Sequence, residues 1–366
     1  MTTDNHVTEP TEEELEGFEK DEDASLGDYP IDTLLIRNEN RTVHDVLRRI
    51  EKGSFVMDPD FQRDFIWPKD KQSKLIESVL MRIPLPVFYL AEDTKGRMVV
   101  VDGLQRLSTF EAFVNDELKL TLPEQDELHN KWFSDLSPKL QNRIEDCNLI
   151  LYVIDSKVPE RAKLDIFERV NGGMPLTRQQ MRNCLFMGAA TRFLKEEALT
   201  PLFRKVTGNS LKSSTMRDRE FVNRFCAFYL LPQSEYKGDM DDFLARALTK
   251  MNTMSDKELK KLSAEFRVSL VNNHKVFGMH AFRKFTAGQT SRSVLNASLW
   301  DVMSTGLSQY SETVVEGRAN QVRDAISTLM NDNSFREAIS YSTNDARAVL
   351  KRFKLASKAL REVLDA

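Results

Sequence analysis

The 366-residue sequence predicts an α+β N-terminal half, a small mixed sheet with helices, followed by an all-α C-terminal half. Three observations predict it. Near-continuous apolar runs of strand length, VFYLAE, RMVVVDG and NLILYVID, all lie before residue 160, and buried strands read this way. From about residue 190 the apolar spacing is almost purely helical. A chain this long that is 41% hydrophobic can bury the cores of two domains.

The elements follow in order. Residues 1–30 hold 11 acids and one lysine, a composition that predicts an acidic disordered tail. Thr42 is placed to cap a helix whose Val43, Val46, Leu47 and Ile50 share a face and which Gly53 stops. SFVMDPDFQRDFIWPKD reads as extended, with Pro68 suited to the first turn of a helix carrying Leu75, Ile76, Val79, Leu80 and Ile83. Residues 87–102 form a hairpin pattern around the polar turn EDTKGR, and Leu107, Phe110 and Val114 then recur at helical spacing, with Leu118 closing the stripe. Residues 148–155 give a further strand, and PERAKLDIFERV a helix ending at Asn171, Gly172 and Gly173. Thr177 and Gln180 have capping-box spacing. Helices are expected near 217–231, 239–252, 256–275, 293–308, 316–330 and 343–364. The expected domains are therefore a tail at 1–30, an α+β domain at 31–190 and a helical domain at 191–366.

Charge and special residues narrow the classes. Outside the tail, 45 acids face 51 basic residues, a mild basic excess that tolerates a polyanion without demanding one. No apolar run approaches a membrane span and no secretory pattern opens the chain, so a cytoplasmic protein is expected. Cys147, Cys184 and Cys226 stand far apart and read as core thiols. His6, His44, His129, His274 and His280 fit no zinc pattern, and no GxSxG elbow or Walker glycine loop occurs.

The junction VVVDGLQRLSTFEAF raises the chemical question. A strand delivers Asp102 to the start of a helix, where unpaired N–H groups and the helix dipole favour phosphate. Gly103 permits close backbone approach, and Arg106 supplies a planar charged fork. The alternative is a turn in which Asp102 caps the helix and Arg106 pairs with a surface acid. In FQRDFIW, Arg63 among aromatics either pairs in the core or points into a cleft. In IFERVNGGMPLT, Arg169 and Asn171 either meet a ligand or cap a helix end.

Taken in order, FQRDFIW, LIESVLMRIPLPVFYL, VVVDGLQRLSTFEAF and IFERVNGGMPLTRQQMRNC resemble the N-terminal domain of GmrSD-type restriction proteins over roughly residues 32–190. The resemblance implies a ParB and sulfiredoxin-like fold, and nucleotide binding and hydrolysis at a DGQQR motif that gates cleavage of foreign or modified DNA in antiviral defence. In that reading Asp102 and Gln105 take the catalytic roles, Asp102 positioning Mg²⁺ or an attacking water and Gln105 orienting that water. Gln62, Arg63, Gly103, Arg106, Arg169 and Asn171 would bind the NTP. Leu104 replaces the family's usual glutamine, which bears on hydrolysis more than on binding. The His-Asn-His nuclease common to the family has too few histidines here, so a separate nuclease subunit is the implied partner beside DNA, and a homo-oligomer is open. Two other readings stay open: a non-enzymatic, nucleotide-gated module that binds DNA or a partner, and direct DNA nicking with Asp64, Asp102 and Glu168 as metal ligands.

Overall fold

The computed structural model describes residues 15–16, 35–57, 67–93, 95–170, 177–286 and 289–366, the side chains of 160, 161 and 168–170 excepted. The chain divides into two compact units, residues 25–185 and residues 186–366 together with 1–24. The sequence pattern had placed that division at 190. Of the acidic segment 1–30, only Leu15–Glu16 (β1) is described; it is paired as a strand within the second unit.

The first unit is built on a five-stranded mixed sheet. Ile36–Thr42 (β2) leads directly into the helix Val43–Glu51 (α1), because Thr42 Oγ1 accepts the Asp45 N–H at 3.2 Å. Gly53, at φ +69°, follows as the stop, and Phe55–Val56 (β3) comes next. Lys69–Leu80 (α2) starts after Pro68, which is its N-cap and not a first-turn residue. Leu75, Ile76, Val79 and Leu80 are buried as expected, but Ile83 lies beyond the helix end and is exposed. Phe88–Glu92 (β4) and Met98–Asp102 (β5) form the expected antiparallel hairpin. Leu104–Val114 (α3), Pro138–Glu145 (α4) and Asn148–Ile154 (β6) follow.

The strand order is β2-β6-β4-β5-β3, with the parallel pair β6–β4 at the centre. Phe88, Leu90, Leu149, Leu151 and Val153 are buried; each such side chain contributes about 1.5–3 kcal/mol through removal from water. The helices α1 to α4 pack on one another. Ala91, Val101 and Ile154 instead meet Phe167 of Glu160–Val170 (α5) and Met181 of Arg178–Leu185 (α6). The capping box that opens α6 is present: Thr177 Oγ1 accepts the Gln180 N–H, and Gln180 Oε1 accepts the Thr177 N–H at 2.7 Å. The central strands are thus covered, whereas Ile36 of β2 and Ile150 of β6 stay exposed.

Among its described residues the second unit is helical apart from one short strand pair, a small departure from the all-α expectation. Ala189–Ala198 (α7), Pro201–Thr207 (α8), Arg217–Leu230 (α9), Met240–Met251 (α10) and Asp256–Phe277 (α11) precede Leu295–Asn296 (β7). Ala297–Leu307 (α12), Glu312–Gly317 (α13), Ala319–Asn331 (α14), Asn333–Ser340 (α15) and Ala346–Leu364 (α16) complete it. Trp300 is its aromatic centre, packed edge-on against Phe221 and Phe203, with its indole N–H donating to Phe221 O at 2.7 Å. Beside it Asp301, fully buried, receives Arg224 at 2.6 Å and Arg352 at 2.9 Å. No helix among the described residues is long and apolar enough to cross a membrane.

Candidate functional site

Asp102 closes β5 opposite Tyr89 of β4, at a point where the strand register slips. Gly103 then turns the chain at φ +96° into α3. Both the sign of that angle and the space demand glycine: a Cβ here would sit 2.2 Å from Phe88 Cδ1. The close approach that glycine permits is therefore already used by the protein's own Phe88 ring.

Arg106 lies one helical turn on and is buried. Its guanidinium rests 4.2 Å from the centre of the Phe88 ring and donates to Pro86 O, to Val87 O at 3.0 Å and to Asp102 Oδ2 at 2.9 Å. The fork that the sequence offered to phosphate is thus directed at the chain entering β4. Arg106 is a clasp across the junction. Burial pushes the Asp102 carboxyl above its usual range, with the Arg106 charge and the Gly103 N–H opposing. Burial likewise lowers Arg106, and Asp102 opposes. Both shifts run toward the neutral forms, so desolvation outweighs the pair's attraction and geometry keeps it together.

Gln105 works in another direction. Its Oε1 accepts the Trp67 N–H at 2.9 Å, tying the end of the aromatic stretch to the start of α3. Among the described residues its Nε2 is buried without a hydrogen-bond partner. A buried amide donor without a partner is costly, and a ligand oxygen would satisfy it. Leu104, between Gly103 and Gln105, is buried.

Two tyrosines beside Asp102 were not anticipated. Tyr89 and Tyr152 stack with ring centres 5.6 Å apart, and burial, then Tyr152 and the Asp102 charge, raise the Tyr89 hydroxyl pKa. The signal was present in the strands, since each tyrosine breaks an apolar run, but periodicity alone gives it no function. Of the other expected residues, Gln62, Arg63 and Asn171 lie outside the described residues, as does the Arg169 side chain. Asp64 and the Glu168 side chain lie outside them too. Among the described residues no group of three His, Cys, Asp or Glu side chains is placed to hold a metal ion. Magnesium tolerates a single carboxylate when phosphate and water complete its shell, so Asp102 fits that role only while shared with Arg106.

A cleft of about 520 Å³ in the same unit is lined by Arg82, Lys139, Arg143 and Cys147, among others, and by none of the expected site residues. Cys147 is therefore not the core thiol expected of it, whereas Cys184 and Cys226 are buried; none of the three is in a disulfide.

The model of the GmrSD restriction endonuclease N-terminal domain matches residues 43–187. Those residues belong to the GmrSD N-terminal domain family. The match runs from α1 to just past α6 and contains all four motif stretches. No curated protein and no solved structure matched the chain. The description of that family is of a restriction endonuclease's N-terminal domain.

Proposed function

We infer that the GmrSD-type domain is a nucleotide-responsive module, ParB and sulfiredoxin-like in fold, that gates DNA cleavage by a separate nuclease in the cytoplasm. An NTP would place its phosphates at the first-turn N–H groups of α3 after Gly103. Gln105 would donate its free Nε2 to a phosphate oxygen or hold the attacking water, and Asp102 would hold Mg²⁺, which supplies charge neutralisation on the phosphates. Gln62, Arg63, Arg169 and Asn171 complete the pocket in this reading. Arg106 enters it as the residue that holds the junction in shape. The observation that carries the reading is the buried Gln105 Nε2, without a partner among the described residues, at a helix start within the stretch that the family model matches.

A second reading, a module that binds nucleotide without turning it over, is favoured by two facts. Arg106 and Asp102 are already committed to each other. Leu104 brings an apolar, buried side chain to the motif.

One experiment separates these readings. The full chain is titrated calorimetrically with ATP, GTP, CTP and UTP in Mg²⁺, and phosphate release and DNA nicking are followed with and without DNA. Binding with phosphate release supports the enzyme, and saturable binding without release supports the module. Gln105→Ala should weaken binding about ten-fold, the loss of one good hydrogen bond of about 1.4 kcal/mol. No binding of any NTP, or nicking without NTP, sinks the proposal.

A further inference from the structure

The segment 1–30 is dense in acids, and within it Leu15 is followed by Glu16. These two residues form β1, parallel to β7, with Leu15 opposite Leu295 and Glu16 opposite Asn296. Leu15 packs against the core of the helical unit. The Glu16 carboxylate pairs with Lys284 Nζ, which also donates to Ser340 Oγ at 2.7 Å. Beside them opens a cavity of about 820 Å³, within the roughly 300–1,000 Å³ typical of ligand sites. Its wall has an apolar side, Phe285, Met330 and the largely exposed Tyr341, and a second cation, Arg336; the wall's own carboxylate is Glu337.

The arrangement has the parts of strand addition: a short edge for main-chain pairing, an apolar seat for one side chain and a cation for the next. Among the described residues β1 is attached by two paired positions, the Leu15 contact and one ion pair about a third exposed, and an ion pair so exposed adds little. Covalent connection holds them there, because a tethered segment acts at an effective concentration in the millimolar range. We propose that this groove is a peptide-binding site for an extended acidic segment carrying leucine followed by glutamate on a partner protein. The chain's own β1 is the competing occupant. A partner segment gains what β1 has and can add contacts to Arg336 and Tyr341 along the remaining cavity.

The probe is a labelled peptide TEEELEGFEK, the sequence of residues 11–20, titrated into the full chain and followed by fluorescence anisotropy. Leu15→Asp, which expels the competitor, should raise peptide affinity at least about ten-fold over wild type. Glu16→Lys should do the same through the charge and guards against misfolding of the first variant. Adding Lys284→Glu to either should remove the gain, and a peptide with aspartate in place of its leucine should not bind. Absence of binding to both opened variants, or binding indifferent to Lys284→Glu, overturns the proposal. Dimerisation of the wild type that Leu15→Asp abolishes, with no peptide binding, assigns the groove to a second copy and overturns the partner.

Discussion

Arg106→Ala tests whether the DGLQR arginine is a clasp or a phosphate ligand. The substitution removes the donors to Pro86 O, Val87 O and Asp102, and uncovers the Phe88 ring. Breaking a fully buried ion pair by deleting one partner costs about 3–5 kcal/mol. The Asp102 side chain is 30% exposed, so water recovers part of that. The lost cation–π contact adds about 0.5–2 kcal/mol. A net loss of about 3 kcal/mol at the junction is expected, which is roughly a 150-fold increase in opening of β4 and β5. Hydrogen exchange read by mass spectrometry on peptides spanning 86–92 and 98–106, with 217–230 as the baseline, measures it without any nucleotide. Exchange within about three-fold of wild type would refute the clasp and return Arg106 to the phosphates.

Two further outcomes concern the helical unit. Asp301→Asn removes the carboxylate that Arg224 and Arg352, both buried, share, and should cost about 3–5 kcal/mol, lowering the melting temperature by roughly 6–12 °C; calorimetry showing a change under about 2 °C would contradict it. Burial pushes the Asp218 carboxyl up from 3.8 to about 6, although its oxygen accepts the Arg219 N–H at 2.8 Å. The folded state therefore holds a proton that the unfolded chain has released, so this group's contribution falls as pH rises from about 4 to 6 and is flat above, a loss of about 2–3 kcal/mol. Asp218→Asn should abolish that fall, and parallel melting-temperature profiles for variant and wild type across this range would disprove the assignment.

Much of the fold was legible because local rules and packing agree in it. The Thr42 cap, the 87–102 hairpin and the Thr177–Gln180 box each rest on residues a few positions apart, and each is found. Short helices escaped: Pro201–Thr207, Glu312–Gly317 and Asn333–Ser340 span too few residues for apolar spacing to declare a period, and tertiary contacts hold them. The pairing of β1 with β7 was equally hidden, since two residues carry no alternation and their partner lies some 280 positions away.

The site was legible in composition and misleading in direction. An arginine one turn after an Asp-Gly junction has the right chemistry for phosphate, and spacing cannot say which way it points. What decides is Phe88: its ring fills the space over Gly103 and offers Arg106 a face, so the guanidinium turns inward to the carbonyls that precede β4. Gln105 is left facing the other neighbour, Trp67. The motif therefore binds two of the other motif stretches before it binds anything else, through Arg106 to the IPLPVF segment and through Gln105 to the end of FQRDFIW. In the proposed nucleotide-binding reading, a ligand that draws on Gln105 Nε2 acts on the same amide that accepts the Trp67 N–H, so its occupancy and the position of Trp67 would be coupled through a single side chain.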